Sequence, residues 1–212
     1  MNPTHGAAVI LVHGLYLKGW TLALQAARLR RCGYDAQLFS YASWRDGLVR
    51  NADRLAEFVA SLPAARLHFI GHSLGGLVIL KMLEQHPDPR TGRVVLLGSP
   101  YGGSAPAQAL AQTRRGRALL GHSMLDWLGS ARPAPGGRYE LGVLAGCRSL
   151  GTGRLIAPLP APNDGVVAVA ETRIAEARDS VLVPVGHAQM LWSKEVARQA
   201  CAFLRDGRFI HP

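Results

Sequence analysis

A pentapeptide between a strand-like and a helix-like segment constrains the fold of this chain more than any other feature. It reads Gly-His-Ser-Leu-Gly at residues 71–75, an instance of G-x-S-x-G. The apolar residues 67–70 before it predict a buried strand, and residues 74–86 after it predict a helix. A sharp strand-to-helix turn here would push the Oγ atom of Ser73 out of the backbone. Such a turn crowds the backbone on both sides, which explains the flanking glycines.

Two interpretations of this turn are open from the pentapeptide alone. In one, Ser73 is a nucleophile; in the other, the glycines form a turn that binds phosphate or only packs against its neighbours. A serine hydroxyl is a weak nucleophile at neutral pH and needs a general base, which itself needs an orienting partner. The first interpretation therefore requires a histidine and a carboxylate elsewhere in the chain.

Strand-like and helix-like segments alternate along most of the 212 residues. The strands are predicted at residues 7–12, 36–41, 67–70, 94–97, 139–145 and 181–185, and the helices at residues 20–31, 46–62, 74–86 and 191–204. The segment 94–97 lacks polar alternation, which is typical of a strand buried on both faces. The chain is therefore predicted to be an α/β protein, with a mostly parallel sheet covered by helices on both faces.

One stretch departs from this alternation. Residues 98–138 contain several glycines and prolines, with short helical stretches between them. We interpret this stretch as an excursion from the sheet and predict a small cap-like insertion at about residues 101–138. The length of the chain fits a single domain, residues 1–212, that includes this insertion.

The composition narrows the class of protein further. The formal net charge is +10, and arginine carries almost all of the positive charge. The arginines are dispersed apart from a cluster at Arg114, Arg115 and Arg117, and they form no basic stripe interleaved with aromatic residues. We therefore expect a solvated basic surface and no nucleic-acid partner. No run of roughly eighteen apolar residues occurs, so we expect no transmembrane segment.

The cysteines and the N-terminal segment bear on localisation. Cys32, Cys147 and Cys201 are odd in number and widely spaced, which predicts neither a metal site nor a disulfide framework. The apolar segment 7–12 has no Lys or Arg before it and no small-residue cleavage site after it. We therefore interpret it as a strand rather than a signal peptide. Together these observations favour a cytoplasmic protein.

A carboxylate and a histidine follow the serine in the chain. In an open parallel sheet, such groups lie at the carboxyl ends of strands. Asp164, in an Asn-Asp-Gly turn after three prolines, is our carboxylate candidate; an ordinary Asx turn is the alternative. The rival carboxylates are Glu171 and Glu176. His187 directly follows the strand 181–185 and is our general-base candidate, against a capping or core role.

Seven further histidines are less well placed than His187. His72 adjoins Ser73 in sequence, but its side chain is expected to point away from the serine. The others lie near the termini, within predicted elements, in the insertion or after the first strand: His5, His211, His68, His86, His122 and His13.

Acyl transfer also needs backbone N–H groups that point at the developing oxyanion. One is expected from Leu74, which follows the serine and begins a helix. The second is expected from Leu15, because Gly14 permits a close backbone turn after the strand 7–12.

These motifs together resemble the α/β-hydrolase superfamily, and in particular its bacterial triacylglycerol lipase-like esterases. The resemblance extends from about residue 7 to residue 204. It implies a minimal α/β-hydrolase fold and the cleavage of carboxylic esters through an acyl-enzyme, without a cofactor. The segments that carry it are Leu11-Val12-His13-Gly14, Gly71-His72-Ser73-Leu74-Gly75-Gly76, Gly98-Ser99-Pro100, Asn163-Asp164-Gly165-Val166-Val167 and Gly186-His187.

The resemblance also implies a role for each site residue. It implies Ser73 as the nucleophile, Asp164 as the orienting acid and His187 as the base. It implies the backbone N–H groups of Leu15 and Leu74 as the oxyanion donors.

The chain departs from this family pattern at three points. It begins at what would be the third strand of the full fold, so we expect the first two strands to be missing. It has no signal peptide by our interpretation, unlike secreted lipases of this group. Ala188 and Gln189 follow His187 where many such lipases have a calcium-binding aspartate, so we expect no metal site.

The substrate is predicted only as a class, a small-molecule acyl ester that includes lipids. Apolar residues of the insertion either line an acyl pocket or pack a small helix onto the sheet. Thioesterase, lipid acyl hydrolase, amidase and a non-catalytic binding protein of the same fold stay open as alternatives, and the sequence does not indicate an oligomeric state. The candidate pocket residues are Tyr16, Trp20, Leu125 and Trp127.

Overall fold

The computed structural model describes residues 6–134, 137–151, 153 and 156–211. The strands in these ranges are β1 (Ala7–Val12), β2 (Asp35–Phe39), β3 (Arg66–His72), β4 (Thr91–Leu97), β5 (Glu140–Gly146) and β6 (Asp179–Val183). They form one sheet in the order β2-β1-β3-β4-β5-β6, and every neighbouring pair is parallel. The predicted α/β fold with a mostly parallel sheet is confirmed, and the described sheet is parallel throughout.

Helices connect the strands. The α-helices in the described ranges are α1 (Ala23–Arg31), α2 (Leu48–Ala60), α3 (Leu74–Gln85), α4 (Ala105–Ala111), α5 (Arg114–Gly129), α6 (Val169–Thr172) and α7 (Lys194–Asp206). Two short 3₁₀ helices span Gly19–Leu22 and Ala188–Leu191. Element ends differ from the prediction by a few residues; the last strand, predicted at residues 181–185, begins and ends two residues earlier.

The core lies on both faces of the sheet, because alternate strand residues point to opposite sides. In β1, Ile10 packs into a cluster with residues of α2 and α3, whereas Val9 and Leu11 pack into a cluster with residues of α1 and α7. All six residues of β1 are buried. This double burial explains why the sequence of β1 is continuously apolar rather than alternating.

The predicted insertion contains α4 and α5, and its residues 135–136 lie outside the described ranges. α5 is interrupted at Gly121, where φ is 69° and a Cβ atom would approach the carbonyl oxygen of Trp44 to 2.5 Å. Polar contacts fix α5 to the start of α2: the Asn51 amide donates to Ser123 Oγ at 2.8 Å, and the Leu48 N–H donates to Asp126 at 2.9 Å. That the insertion and the sheet form a single domain stays a prediction.

The expectation that the cysteines give no disulfide framework is wrong, because Cys32 and Cys201 form a disulfide. Cys32 follows α1 and Cys201 lies within α7, two helices that pack on the same face of the sheet. Their separation of 169 residues gave no local signal for this pairing. The cytoplasmic localisation was inferred partly from the expected absence of a disulfide framework; it loses that support and stays a prediction. No helix of the described residues has the length and apolar character needed to cross a membrane.

Candidate active site

Ser73 lies in the sharp turn between β3 and α3. Its φ is 53° and its ψ is −123°, a conformation that non-glycine residues rarely adopt. A Cβ atom on Gly71 would collide with the backbone of Gly76, and one on Gly75 would collide with the backbone of Val12. The glycines therefore let the chain pass close to its neighbours while the serine takes the strained position.

Asp164 and His187 form a buried pair at the carboxyl ends of β5 and β6. His187 Nδ1 lies 2.6 Å from Asp164 Oδ2, and the backbone N–H of His187 donates to the Asp164 carbonyl at 2.9 Å. The other carboxyl oxygen, Oδ1, accepts from the N–H groups of Val166 at 3.0 Å and Val167 at 2.7 Å. Because a carboxylate only accepts hydrogen bonds, Nδ1 carries the His187 proton and Nε2 is free to accept one.

A cavity of about 400 Å³ brings Ser73 and His187 to a common surface, since both residues line it. Asp164 is only 1% exposed and reaches this surface through His187. Among the described residues, Ser73 Oγ has no hydrogen-bonded partner. In unliganded enzymes, the hydrogen bond between a nucleophile and its general base is often long, and it tightens when substrate binds. The arrangement can therefore supply a hydroxyl, a base and an orienting carboxylate in series.

The loop after β1 lies opposite the serine turn, and Leu15 and Ser73 line the same cavity. The N–H of Tyr16 is occupied, since it donates to Ser43 Oγ at 3.0 Å. Within the described part of the chain, the N–H groups of Leu15 and Leu74 have no acceptor. Leu74 is also the first residue of α3, where the helix dipole favours a negative charge. These two donors are thus available to an oxyanion.

The shape of this loop depends on the buried ring of His13. Its Nε2 accepts from the Tyr41 N–H at 3.2 Å, so its Nδ1 carries the proton and donates to the Gly14 carbonyl at 2.9 Å. The Tyr41 hydroxyl donates to the His13 carbonyl at 2.8 Å, and the two rings stack 4.4 Å apart. Burial lowers the pKa of His13, which keeps this ring neutral. No motif in the sequence indicated the contribution from Tyr41.

His72 contacts His187 rather than Ser73. The His72 ring is buried, and its Nε2 lies 3.1 Å from the backbone carbonyl of His187. Burial is the main cause that lowers the pKa of His72 to about 3, and the nearby His187 ring is the second cause. His72 is therefore neutral and donates this hydrogen bond. This hydrogen bond supports the backbone of His187, a role for His72 that the sequence did not indicate.

The insertion forms much of the cavity wall. Its helices α4 and α5 contribute Pro106, Ala107, Leu110, Leu120 and Met124, and the opposite side is formed by Leu17, Ile156, Val166 and Leu191. Some residues of α4 and α5 line the cavity, and others pack these helices onto the rest of the protein. Both alternatives that the sequence left open for the insertion therefore hold, each for different residues of the same helices.

Of the four residues expected to form the pocket, Tyr16 lines the cavity and the other three lie elsewhere. Trp20 is 73% exposed. Leu125 faces a separate groove, which Trp44 also lines. Trp127 is 1% exposed and packs against Tyr101 in the core beneath the cavity. Leu125 directly follows Met124 and therefore points to a different side of α5. Trp127 lies about one turn beyond Met124, where the helix packs into the core cluster rather than along the cavity.

The rival carboxylates have other surroundings. Glu171 accepts from the N–H of Ala105 at 2.5 Å and from the N–H of Ala168 at 2.8 Å, and so joins the starts of α4 and α6. Glu176 is exposed. Within the described ranges, no group of three or more His, Cys, Asp or Glu side chains is placed to hold a metal ion.

Comparison with solved structures gives several chains of the same fold at low sequence identity. A metagenomic carboxyl esterase, MGS0156, is 23% identical with a TM-score of 0.68; the match covers 87% of this chain and 65% of that protein, so this chain spans less than two thirds of its length. The mature lipase BlEst2 of Bacillus licheniformis is 18% identical with a TM-score of 0.68, over 92% of this chain and 89% of the lipase. A pyrethroid hydrolase of Sphingobium faniae JZ-2 is 14% identical with a TM-score of 0.64, over 94% and 98% of the two chains.

These likenesses show the fold, and the sequence itself shows the family. No curated protein matches this sequence significantly. Residues 9–210 match a family described as the alpha/beta hydrolase family, which is nearly the whole chain. With its parallel sheet and the serine turn between β3 and α3, the chain belongs to the alpha/beta hydrolase family.

Proposed function

We propose that this protein is a serine hydrolase that cleaves carboxylic esters through an acyl-enzyme formed on Ser73. The observation that carries the proposal is the buried Asp164–His187 pair, with a distance of 2.6 Å, beside a serine held in a strained turn on the same cavity. Strain at a serine is costly, of order 1–3 kcal/mol, and such strain clusters at functional sites. A turn that only packs would require neither the strained serine nor the paired histidine.

In the acylation step, His187 Nε2 takes the proton from Ser73 Oγ while Oγ attacks the carbonyl carbon of the ester. The carbonyl oxygen becomes negative and is bound by the N–H groups of Leu15 and Leu74. Asp164 stabilises the imidazolium that forms. The tetrahedral intermediate then collapses: the bond to the alcohol oxygen breaks, His187 returns its proton to that oxygen, and the acyl group stays on Ser73.

Deacylation repeats these steps with water as the nucleophile. His187 Nε2 takes a proton from water, and the hydroxide attacks the acyl carbon. The oxyanion is again bound by the N–H groups of Leu15 and Leu74. The bond to Ser73 Oγ breaks and His187 protonates that oxygen, which releases a carboxylic acid and restores the free serine.

The nature of the cavity supports esters with an apolar acyl group. Its walls are largely aliphatic, with Leu110, Leu120 and Met124 from the insertion and Leu191 from the segment after His187. Apolar walls with a few convergent polar groups are typical of small-molecule sites. The structural neighbours whose names include carboxyl esterase and lipase are consistent with this substrate class.

The decisive experiment combines covalent labelling with turnover. We expect a fluorophosphonate to label the wild type at Ser73, and Ser73→Ala to abolish both labelling and hydrolysis of p-nitrophenyl esters. Ser99→Ala is the matched control, because Ser99 also lies near α3 and its buried hydroxyl has no hydrogen-bonded partner among the described residues. Full ester hydrolysis by Ser73→Ala would contradict the mechanism.

The same assay separates the alternatives. A panel of p-nitrophenyl esters and acyl thioesters of increasing chain length measures the preference between ester and thioester and the size of the acyl site. Faster turnover of thioesters at every length would assign a thioesterase instead. Absence of labelling and of turnover on every compound would favour a non-catalytic binding protein of this fold.

A further inference from the structure

Exposed apolar side chains surround the mouth of the cavity. Tyr16 is 58% exposed, Leu119 is 58% exposed, and the two residues are joined by a hydrogen bond from the Tyr16 hydroxyl to the Leu119 carbonyl. On the opposite side, Ile156 lines the cavity and is 44% exposed. Leu150 is 58% exposed and lies next to Gly186, the neighbour of His187. Large exposed apolar side chains grouped in this way mark interaction surfaces more often than single ones do.

A half-exposed tryptophan extends this apolar group. Trp44 is 45% exposed, and its indole N–H donates to the Ala118 carbonyl at 2.7 Å, one residue before Leu119. Tryptophan and tyrosine have an apolar body and a polar tip, and they are enriched where protein meets the head groups of a bilayer. We call the surface formed by Tyr16, Trp44, Leu119, Leu150 and Ile156 the rim.

Arginines lie among the rim residues. Arg114, Arg115 and Arg117 are exposed on the first turns of α5, and Arg115 is four residues before Leu119, so the two share one face of the helix. Arg45 adjoins Trp44 and Arg148 is two residues before Leu150. None of these arginines forms an ion pair with a described residue.

Carboxylates near the rim offset only part of this charge. Asp126 lines the groove beside Trp44, but Arg45 and Arg117 line the same groove. Asp46 is paired with Arg50 and Arg54. The rim therefore combines exposed apolar side chains with an excess of positive charge, on a protein whose net charge is +10.

We propose that the rim binds the surface of an anionic phospholipid bilayer, with the mouth of the cavity facing the membrane. The arginines match the negative head groups, and each basic residue near such a surface strengthens binding. Trp44, Leu119 and Leu150 enter the head-group region, which a soluble polyanion does not provide. The proposal concerns attachment and does not depend on turnover.

The test uses the full-length Ser73→Ala protein and sedimentation with two kinds of vesicle. One is phosphatidylcholine alone, and the other contains about one-third phosphatidylglycerol in phosphatidylcholine. We expect binding to the anionic vesicles to be at least about tenfold tighter than to the neutral ones. Equal binding to both, or binding to neither, would overturn the proposal. Because the serine is absent, a failure here leaves the proposed hydrolase mechanism standing, and a failure of the mechanism leaves this result standing.

Two matched sets of variants locate the surface. Changing Arg114, Arg115 and Arg117 together to Glu should weaken binding to anionic vesicles by at least about tenfold. The control changes Arg31, Arg66 and Arg208 together to Glu; these side chains are exposed at the amino end of the sheet, at the end of α1, the start of β3 and just after α7. The total charge changes equally in both, so an equal loss in the control would show general charge attraction and overturn the assignment to the rim.

The apolar contribution is tested separately. Leu119→Ser should weaken vesicle binding several-fold, and Leu182→Ser, which changes an exposed leucine on the edge strand β6, should not. Both side chains are exposed, so neither change should affect folding, and thermal unfolding checks this. If Leu119→Ser leaves vesicle binding unchanged, and the protein binds duplex DNA as tightly as anionic vesicles, the rim is a general polyanion surface instead of a lipid surface.

Discussion

The backbone conformation of Ser73, with φ of 53°, places this residue in a sharp turn on the wall of the cavity. The strain of about 1–3 kcal/mol is held by the packing of β3 and α3 around it. Gly71 and Gly75 make this packing feasible because the backbone of each lies against another segment of chain. The same residues that look like a flexible glycine-rich turn in the sequence are rigid in the fold.

Gly75→Ala should destabilise the protein by about 3 kcal/mol or more, because its Cβ atom would overlap with the backbone carbonyls of Val12 and His13, which cannot move easily. Chemical denaturation measures the free energy of unfolding. Gly129→Ala is the control, since a Cβ atom there meets nothing within 4 Å at the exposed end of α5. It should be neutral or stabilising by up to about 1 kcal/mol. Equal effects of the two substitutions would contradict this account of the turn.

Asp164 is predicted to act by orienting His187 and stabilising its charged form. Asp164→Asn keeps the size of the side chain but allows the wrong tautomer of His187, and should lower kcat by roughly 10⁴-fold, as such substitutions do in serine proteases. The kinetics of p-nitrophenyl ester hydrolysis test this. Glu171→Gln, which changes the rival carboxylate, should leave kcat within a few-fold of wild type. The opposite ranking would move the role from Asp164 to Glu171.

At the scale of the helices, α5 is fixed from several directions. Its first turns accept hydrogen bonds from Tyr16 in the loop after β1 and from Trp44 in the loop after β2. Its later turns contact the start of α2 through Ser123 and Asp126. The break at Gly121 lets the two parts of α5 follow different surfaces. These contacts describe an insertion that is docked over the cavity.

The disulfide joins two helices that lie far apart in the chain. Replacing Cys32 and Cys201 by Ser should lower the free energy of unfolding by about 2–5 kcal/mol, because the bond closes a long loop and restricts the unfolded chain. Denaturation under oxidising conditions measures this, with Cys147→Ser, which removes the free thiol, as the control. The prediction would be contradicted if reducing the disulfide left the free energy of unfolding of the wild-type protein unchanged.

At the scale of the whole molecule, the parallel sheet gathers residues from distant parts of the chain at one end. Ser73 follows β3, Asp164 and His187 follow β5 and β6, and Leu15 follows β1. Because all the described strands run in one direction, their carboxyl ends share one edge. The cavity, the candidate site and the rim all lie at this edge.

Two buried histidines link the stability of the whole fold to pH. Burial is the main cause that lowers the pKa of His68 to about 4 and that of His72 to about 3. An unfolded histidine binds a proton near pH 6.5, so the unfolded state binds more protons between that pH and the folded pKa values. The contribution of these histidines to the free energy of unfolding should therefore be fully present above pH 6.5. It should fall as the pH drops toward 4, by up to about 1.4 kcal/mol per pH unit for each histidine.

Denaturant titrations at several pH values across this window measure the slope. His68→Gln should reduce it, since glutamine can still accept the Arg93 N–H hydrogen bond but does not titrate. His122→Gln, which changes an exposed histidine, should leave the slope unchanged. A slope that is the same in His68→Gln as in wild type would contradict the linkage.

The sequence was sufficient to predict elements whose signals are local. The continuous apolar runs predicted the strands, and the glycines around Ser73 predicted the sharp turn after β3. Side-chain pockets are harder to predict, because the direction of a helix residue depends on how the helix docks. Leu125 and Trp127 share with Leu120 an apolar helical segment, but only Leu120 faces the cavity. The catalytic roles of Ser73, Asp164 and His187 stay predictions until they are tested.

What the sequence determined by itself was the order of the elements, the parallel sheet and the serine turn, because each depends on the period and spacing of neighbouring residues. Only the tertiary structure decided which distant residues meet: Cys32 with Cys201, His72 with the His187 carbonyl, and Tyr16 with Leu119. Such contacts join residues far apart in the chain, and they form only when the helices dock on the sheet. The basic cluster on α5 illustrates the difference. Its arginines indicate a solvated face in the sequence, whereas in the fold they lie on the same helix as Leu119, a residue of the rim.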